Sequence, residues 1–145
     1  RKSRKNGQGC SLILMKDNFN FEIISPEKIV FSGEVKMVKL PAYEGDMGLL
    51  KNHISIITFL KPGIIKIEKN DGNFDEFFVQ DGTAEYSNDK LIVLSISAVN
   101  IKKISKDYID NLKKETETKI AGKNVTDHDL YILNHKLDVL KEINI

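Results

Sequence analysis

The hydrophobic pattern of this chain changes its period once, near Ile101, and that change restricts the folds open to it. Between Asn20 and Ile101, short apolar runs are separated by turn-forming residues. After Ile101, apolar residues recur at spacings of three and four, as on one face of a helix. Strands followed by helices indicate two successive units rather than alternating βαβ units. We therefore expect a β + α chain, with an N-terminal antiparallel β-sandwich over 17–101 and a C-terminal α-helical hairpin over 102–145.

The strands of the first unit are marked by alternation and by turns. Phe21 and Ile23 alternate with polar neighbours, as in a half-buried strand. The segment Ile54–Leu60 is mostly β-branched and aromatic, which predicts a buried strand that ends at the Lys61-Pro62-Gly63 turn. Hairpin turns are predicted at Asn70-Asp71-Gly72 and Ser87-Asn88-Asp89, because these residue types tolerate positive φ. Many short strands at regular spacing are typical of an antiparallel sandwich.

The second unit carries helix start and stop signals. Ser105 is a predicted N-cap, Gly122 and Asn124 predict a stop, and Thr126-x-x-Asp129 resembles a capping box. Two short helices cannot bury their apolar faces alone, so they must pack on each other and on the sandwich or a partner. The second helix has an apolar stripe that is expected to provide this packing: Leu130, Leu133, Leu137, Leu140 and Ile143.

The first residues differ in composition from the rest. Arg1 and Arg4 are the only arginines in the chain, and the first fourteen residues contain no acidic residue. We expect residues 1–16 to be a leader or an expression-derived, disordered extension, with Met15 as the natural start. Without the four cations of this segment, 18 basic and 21 acidic residues remain, a net charge of −3. Nucleic-acid binding therefore loses its main electrostatic support.

Other function classes are disfavoured by what the sequence does not contain. No apolar run approaches the ~20 residues of a transmembrane helix, so no direct transmembrane insertion is expected. One cysteine, Cys10, forms no intrachain disulfide. Phosphate-binding glycine loops, dinucleotide fingerprints, zinc-protease motifs and nucleophile elbows are also missing. We expect His53 to be a structural histidine, His128 and His135 to be solvated, and the chain to be non-catalytic and without a metal site.

One stretch of sequence is more specific than the rest. It runs from Pro41 to His53 as Pro-Ala-Tyr-Glu-Gly-Asp-Met-Gly-Leu-Leu-Lys-Asn-His, and Leu60-Lys-Pro-Gly follows a short strand later. Phe31-Ser-Gly-Glu-Val35 precedes it, and Asp81-Gly-Thr-Ala-Glu85 comes after it. In order and spacing, these pieces resemble the epsilon subunit of bacterial F-type ATP synthases, the delta subunit in mitochondria. The resemblance extends from about Phe19 to the C-terminus.

This resemblance implies a non-catalytic central-stalk (rotor) subunit of a proton-translocating F-type ATP synthase. In the family, the sandwich binds the gamma subunit and rests on the c-subunit ring, and the helical hairpin is regulatory and inhibits ATP hydrolysis in many bacterial members. The implied partners are therefore gamma, the c ring, and the alpha and beta subunits of the catalytic head. By position, Tyr43, Glu44, Gly45 and Asp46 fall in the loop that faces the c ring. The implied location is peripheral, on the cytoplasmic face of the bacterial inner membrane.

Some members of this family bind regulatory ATP through a motif on the first helix. Ile109 and Asp110 match that motif here, but Lys113 replaces its arginine and Lys114 replaces its alanine. Lysine meets a phosphate as a point charge and lacks the bidentate fork of arginine. We therefore expect weak or no ATP binding at these positions, and no cofactor.

Two other functions are weighed against the rotor subunit. A stand-alone β-sandwich that binds ligands or acts as an adaptor would present exposed aromatic residues in a cleft, yet there is no tryptophan and most phenylalanines fit strand patterns. A small enzyme would use Glu44 and Asp46 as catalytic carboxylates, which requires a pocket that separates their pKa values. A glycine-flanked loop is a poor place for such a pocket.

Overall fold

The computed structural model describes residues 18–143, so the predicted leader over 1–16 lies outside the described residues. Within 18–143 the chain forms ten strands, a 3₁₀ turn at Ile101–Lys103 and two helices. The helices are α1 (Lys106–Ile120) and α2 (Asp127–Glu142). The strands are β1 (Phe19–Ile24), β2 (Ile29–Val35), β3 (Met37–Ala42), β4 (Gly45–Leu49), β5 (Ile56–Leu60), β6 (Gly63–Glu68), β7 (Phe74–Val79), β8 (Gly82–Ser87), β9 (Lys90–Leu94) and β10 (Val99–Asn100).

The strands form one folded sheet in the order β10-β7-β6-β3-β5-β8-β9-β1-β2, and β4 pairs with β3 beside this path. A single residue pair, Ala42 with Leu60, joins β3 to β5. At this narrow connection the sheet turns over on itself, and its two halves face each other. The predicted sandwich followed by a helical hairpin is confirmed.

The sandwich core is built from the inward face of each half. Alternate residues of β1, namely Phe19, Phe21 and Ile23, are at most 2% exposed, as the period-two pattern predicts. The buried cluster that they join includes Val35, Val38, Leu40, Leu49, Leu60, Ile65, Ile67, Phe77, Val79, Tyr86, Leu91 and Val93. This cluster is the main source of stability for the first unit, because burial of apolar area drives folding.

Strand β7 is buried on both of its faces. Phe77 and Val79 point into the sandwich, whereas Phe78 points outward and is nevertheless fully buried. The helical hairpin covers Phe78 and forms a second cluster with it, made of Ile104, Ile109, Leu112, Val139, Leu140 and Ile143. The hairpin therefore docks on the outer face of the β6–β7 half of the sheet.

The helix caps and hairpin turns lie where the sequence predicts them. The Ser105 side chain accepts a hydrogen bond from the Tyr108 amide (3.1 Å), and that of Thr126 accepts one from Asp129 (3.0 Å). Asn88 and Asp89 have φ angles of 51° and 57°, the two left-handed residues that a tight β8–β9 hairpin needs.

Two details of the sheet differ from the sequence prediction. Gly45 and Asp46 were expected in a loop, but they begin strand β4, and only Tyr43 and Glu44 form the turn. The sandwich was expected to be antiparallel throughout, but β9 pairs with β1 in parallel. The parallel pair joins strands far apart in sequence, which local turn signals do not reveal.

The expected buried strand over Ile54–Leu60 ends as predicted, but it starts later and is buried on one face only. The strand begins at Ile56, and Ile54 before it is 78% exposed. Thr58 points into the sandwich and is 6% exposed, whereas Ile57 and Phe59 are 66% and 65% exposed. Strand β5 therefore has its large apolar residues on the outer face. Phe59 lies in a strand, as expected of most phenylalanines, but its ring is on the outer face.

Tyr86 provides a test of how the β8–β9 turn is fixed. Its ring is 1% exposed, and its hydroxyl lies 3.0 Å from Asp89 Oδ1 and 3.1 Å from the Leu50 carbonyl oxygen. In Tyr86→Phe these acceptors lose that partner, so we expect the free energy of unfolding to fall by about 1–2 kcal/mol in urea denaturation. Tyr131→Phe is the control, since Tyr131 is 54% exposed. Equal stability of the two variants would contradict this account.

Candidate functional site

The outward apolar residues of β5 continue across the sheet as a row. Phe59 is paired with Thr83, Thr83 with Leu94, and Leu94 with Ile24 of β1. Leu94 is 53% exposed, and Ile96, just after β9, is 77% exposed. Soluble proteins scatter exposed apolar residues singly, so a contiguous group on one sheet face marks an interaction surface. We call this group, Ile24, Ile57, Phe59, Leu94 and Ile96, the apolar face.

A cavity of about 650 Å³ opens at one end of the apolar face. We call it the bowl, and its apolar lining is Ile24, Pro26, Tyr43, Phe59, Leu60, Leu94 and Ile96. Gly82 is required at its base, because an added Cβ would lie 2.8 Å from the Leu94 carbonyl oxygen. A concave, apolar and exposed surface of this kind accepts a side chain from a partner protein.

Acidic side chains flank the apolar face in the next row of the sheet. Ile57 is paired with Glu85 on β8, and Ile92 with Glu22 on β1. Glu22 has a cation beside it, with Lys90 Nζ at 3.6 Å. Glu85 is exposed, so the rim beside Ile57 suits a basic residue of a partner, because complementary charge at a rim directs association.

The β3–β4 turn carries the four residues that the resemblance places toward the c ring. Tyr43 and Glu44 form its tip, and Gly45 has φ +127°, a conformation that favours glycine. Asp46 is exposed and lies 3.7 Å from Lys39 Nζ, a surface ion pair of small energetic value. Tyr43 and Glu44 in the turn thus adjoin Gly45 and Asp46 at the start of β4, and the contact of these four residues with the c ring stays a prediction.

A second cavity, of about 540 Å³, lies between this turn and the helical hairpin. Its lining includes Tyr43, Lys119, Lys123, His128, Ile132 and Leu133. The rings of Tyr43 and His128 stack with centroids 6.2 Å apart and an interplanar angle of 22°. This contact joins the β3–β4 turn to the first turn of α2.

The interface between hairpin and sandwich contains a buried lysine that sequence reasoning missed. Lys136 on α2 is 7% exposed, and its Nζ donates a hydrogen bond to Gln80 Oε1 at 2.5 Å. Lys136 lies three residues after Leu133 and four before Leu140, so helical spacing alone places it on the apolar stripe.

Burial lowers the pKa of Lys136 below the usual lysine value of 10.5, and the nearby Lys119 cation lowers it further. The carboxylates of Glu115 and Asp81 oppose these effects. Tyr108 on α1 also faces this region; burial raises the pKa of its hydroxyl, and the Gln80 side chain hydrogen-bonds to it. Gln80 therefore contacts a residue from each helix.

The predicted packing residues of α2 differ in their burial. Leu140 and Ile143 join the cluster around Phe78, whereas Leu133 and Leu137 are half-buried and Leu130 is 37% exposed. Val139, which lies beside the predicted stripe, is also in the cluster. The docked face of α2 is thus rotated from the leucine stripe toward Lys136 and Val139.

The positions considered for ATP fall on the first helix. Ile109 is 3% exposed and belongs to the cluster that docks the hairpin, while Asp110 and Lys113 are half-exposed beside it. Among residues 18–143, no group of three or more His, Cys, Asp and Glu side chains is placed to hold a metal ion. Neither described helix has the length and apolar character needed to cross a membrane.

His53 has the local contacts of a structural histidine. Its Nδ1 lies 2.7 Å from the Ile54 carbonyl oxygen, and its ring meets Tyr86 edge-on with centroids 5.6 Å apart. His135 is half-buried on α2, where its ring stacks on Tyr131. His128 is exposed apart from its contact with Tyr43.

Comparison with protein families gives a match over the first unit. The model described as ATP synthase, Delta/Epsilon chain, beta-sandwich domain, matches residues 18–101. The chain is 47% identical over 131 residues to the ATP synthase epsilon chain of Pelagibacter ubique, an alignment that covers 90% of this chain and 100% of that one. It is 35% identical over 133 residues to the same-named chain of Parvibaculum lavamentivorans, with coverage of 89% and 97%.

Solved structures show the same fold. A chain of the Euglena gracilis mitochondrial ATP synthase (OSCP/F1/c-ring) superposes with a TM-score of 0.67 at 16% identity, over 97% of this chain and 96% of that chain. A chain of the Tetrahymena thermophila mitochondrial ATP synthase central stalk and c ring gives a TM-score of 0.58 at 11% identity, over 85% and 93%. Both cover the sandwich together with the helices.

Because Lys136 is buried in the interface, we expect docking of the hairpin to strengthen as pH rises. The pKa of Lys136 is lowered in the docked state, so protonation of Lys136 favours the undocked hairpin. As pH rises from the lowered pKa toward 10.5, this proton is lost and the free energy of docking becomes more favourable. Lys136→Met should remove this pH dependence and slow opening of α1 and α2 by about tenfold at pH 7. Hydrogen exchange of helix amides, corrected for intrinsic rates between pH 7 and 10, measures both effects.

Lys141→Met is the control, because Lys141 is an exposed lysine on the same helix. It should keep the pH dependence. If the two variants exchange alike, or if Lys136 titrates at the usual lysine pKa by ¹³C NMR of its ε carbon, this account of the interface is wrong.

Proposed function

This chain belongs to the ATP synthase delta/epsilon family, and we propose that it is the epsilon subunit of the central stalk, which joins the catalytic head to the c ring. An epsilon chain is a non-catalytic subunit of a membrane-associated complex. The observation that carries the proposal is strand β5, whose Thr58 faces the core while Ile57 and Phe59 face outward. A chain that keeps its large apolar residues outside gains stability only when a partner covers them.

The gamma subunit is the partner assigned to the apolar face. A rotor subunit must turn with gamma as one body, which requires an extensive and dry contact rather than scattered polar contacts. The apolar face offers that contact, and the bowl receives an anchoring side chain from gamma. Glu85 beside Ile57 then meets a basic residue at the rim.

The c ring is the partner assigned to the β3–β4 turn. Glu44 in the turn and Asp46 at the start of β4 are both exposed, so they are available to hydrogen-bond donors of polar ring loops. Tyr43 and Gly45 shape the tip. Because the turn lies at the bowl end of the sandwich, gamma and the ring meet neighbouring parts of one surface.

The helical hairpin is assigned a modulating role in ATP hydrolysis. Its attachment to the sandwich includes a buried cation held by one neutral side chain, Gln80. Such an interface opens at lower cost than a fully apolar one. The complex is placed on the cytoplasmic face of a bacterial inner membrane, where this chain is a peripheral component.

Phe59→Glu tests the assignment of gamma to the apolar face. A charge at the bowl cannot be desolvated in an apolar contact, so we expect affinity for an alpha-beta-gamma head that lacks its own epsilon to fall at least 100-fold, or about 3 kcal/mol. Biolayer interferometry with the immobilised head measures it. Phe74→Glu is the matched control, since Phe74 is 56% exposed at the start of β7, away from the bowl lining.

Retained binding by Phe59→Glu would exclude the apolar face as the gamma contact. Failure of the unsubstituted chain to bind the head would instead favour the alternative of a stand-alone ligand-binding or adaptor sandwich. Urea denaturation of both variants separates a loss of contact from a loss of folding.

Removal of the hairpin tests its effect on hydrolysis. A chain that ends at Ile101 keeps the apolar face, so we expect it to bind the head, whereas ATP hydrolysis by that head should be severalfold faster than with the full chain. The coupled ATPase assay is run at saturating subunit. Because the deletion uncovers Phe78, a Phe78→Ser version of the short chain checks that aggregation does not cause the difference. Equal ATPase rates with the short and full chains would contradict an inhibitory hairpin.

A further inference from the structure

Tyr43 lies between two surfaces that have been described separately. Tyr43 lines the bowl together with Phe59, and it also lines the cavity beside the hairpin together with His128. The side chain is 42% exposed, so it is neither a core residue nor free in solvent. One residue therefore borders both the bowl and the docked hairpin.

We propose that Tyr43 couples the two surfaces, so that a partner that fills the bowl tightens the docking of the first turns of α2. This inference rests on the proposed function, because it takes gamma as the occupant of the bowl. The proposal gives Tyr43 a role other than contact with the c ring. It also makes the affinity for gamma depend on His128, although His128 is not in the bowl lining.

The sign of the coupling follows from the geometry of the ring. Tyr43 stacks on His128 at 6.2 Å and borders the bowl in the same conformation. An occupant of the bowl can therefore pack against the ring without displacing it from His128. Packing on its bowl side restricts the ring, and a restricted ring loses less conformational freedom when it stacks on His128. Bowl occupancy and stacking then favour each other.

The contact has the right position to influence the hairpin. His128 lies two residues after the Thr126 N-cap of α2, at the opposite end of the helix from Leu140 and Ile143. Leu130 in this region is exposed, and Leu133 is half-buried. The N-terminal part of α2 thus has few buried contacts, and its stacked ring pair is a substantial share of what holds it.

Coupling between two binding events is reciprocal, which gives two measurable consequences. Head binding should slow amide exchange over 126–133, and loss of the stack should weaken head binding by the same factor. An aromatic pair of this kind changes an equilibrium by roughly two- to tenfold. Both measurements should fall in this range.

A double-mutant cycle on the full chain tests the proposal. We expect His128→Ala to weaken binding of the epsilon-free head two- to tenfold, although His128 is not in the bowl lining. In a Tyr43→Leu background, the same His128→Ala change should have no further effect on affinity. Head binding should also slow exchange over 126–133 in the unsubstituted chain and leave it unchanged in Tyr43→Leu.

A second pair on the same helix is the matched control. Tyr131 and His135 stack with centroids 6.5 Å apart, and neither lines the bowl. His135→Ala should leave head affinity unchanged. If His128→Ala binds the head as tightly as the unsubstituted chain, or more tightly, the coupling is refuted while the rotor assignment stands. If the unsubstituted chain does not bind the head, the proposed function and the coupling both fail.

Discussion

The two-sided burial of strand β7 holds the two units of this chain together. Phe77 and Val79 belong to the sandwich core, while Phe78 between them is covered by the helical hairpin. Strand β7 thus contributes one face to the sandwich core and the other face to the cluster beneath the hairpin. The hairpin docks on this strand because the outer face of β6–β7 offers apolar area that an amphipathic helix pair can bury. The apolar face lies on the other half of the folded sheet, where its residues are exposed among those that the structure describes.

The same attachment is weakened by the polar group at its centre. Lys136 and Tyr108 both reach Gln80, so the interface holds a buried charge and an amide where leucines would pack. Burial lowers the pKa of Lys136 despite the carboxylates of Glu115 and Asp81, so this cation costs more than an apolar side chain of similar volume. The hairpin is therefore bound firmly enough to cover Phe78, but less firmly than its apolar area alone would allow. The polar group therefore lowers the free energy needed to open the hairpin, relative to a fully apolar interface of the same area.

The features that could be predicted from the sequence are those that depend on residues close together in the chain. The change of period at Ile101, the caps at Ser105 and Thr126, and the turn at Asn88-Asp89 were predicted because each depends on neighbours within four residues. The parallel β9–β1 pair was not predicted, since it joins distant segments. Lys136 escaped notice because lysine is assigned to solvent by type, although its spacing placed it among buried residues.

The register of β5 shows where hydrophobicity patterns lose their meaning. A strand of Ile, Ile, Thr, Phe and Leu fits a buried strand by composition, and only the alternation around Thr58 indicates two faces. Which face is the core cannot be decided from the strand alone, because a core and an obligate interface demand the same residue types. In the folded chain Thr58 faces the core, whereas Ile57 and Phe59 extend the outer surface. An exposed row of this kind would favour self-association in a solitary protein, so its presence is itself an argument that this chain works in a complex.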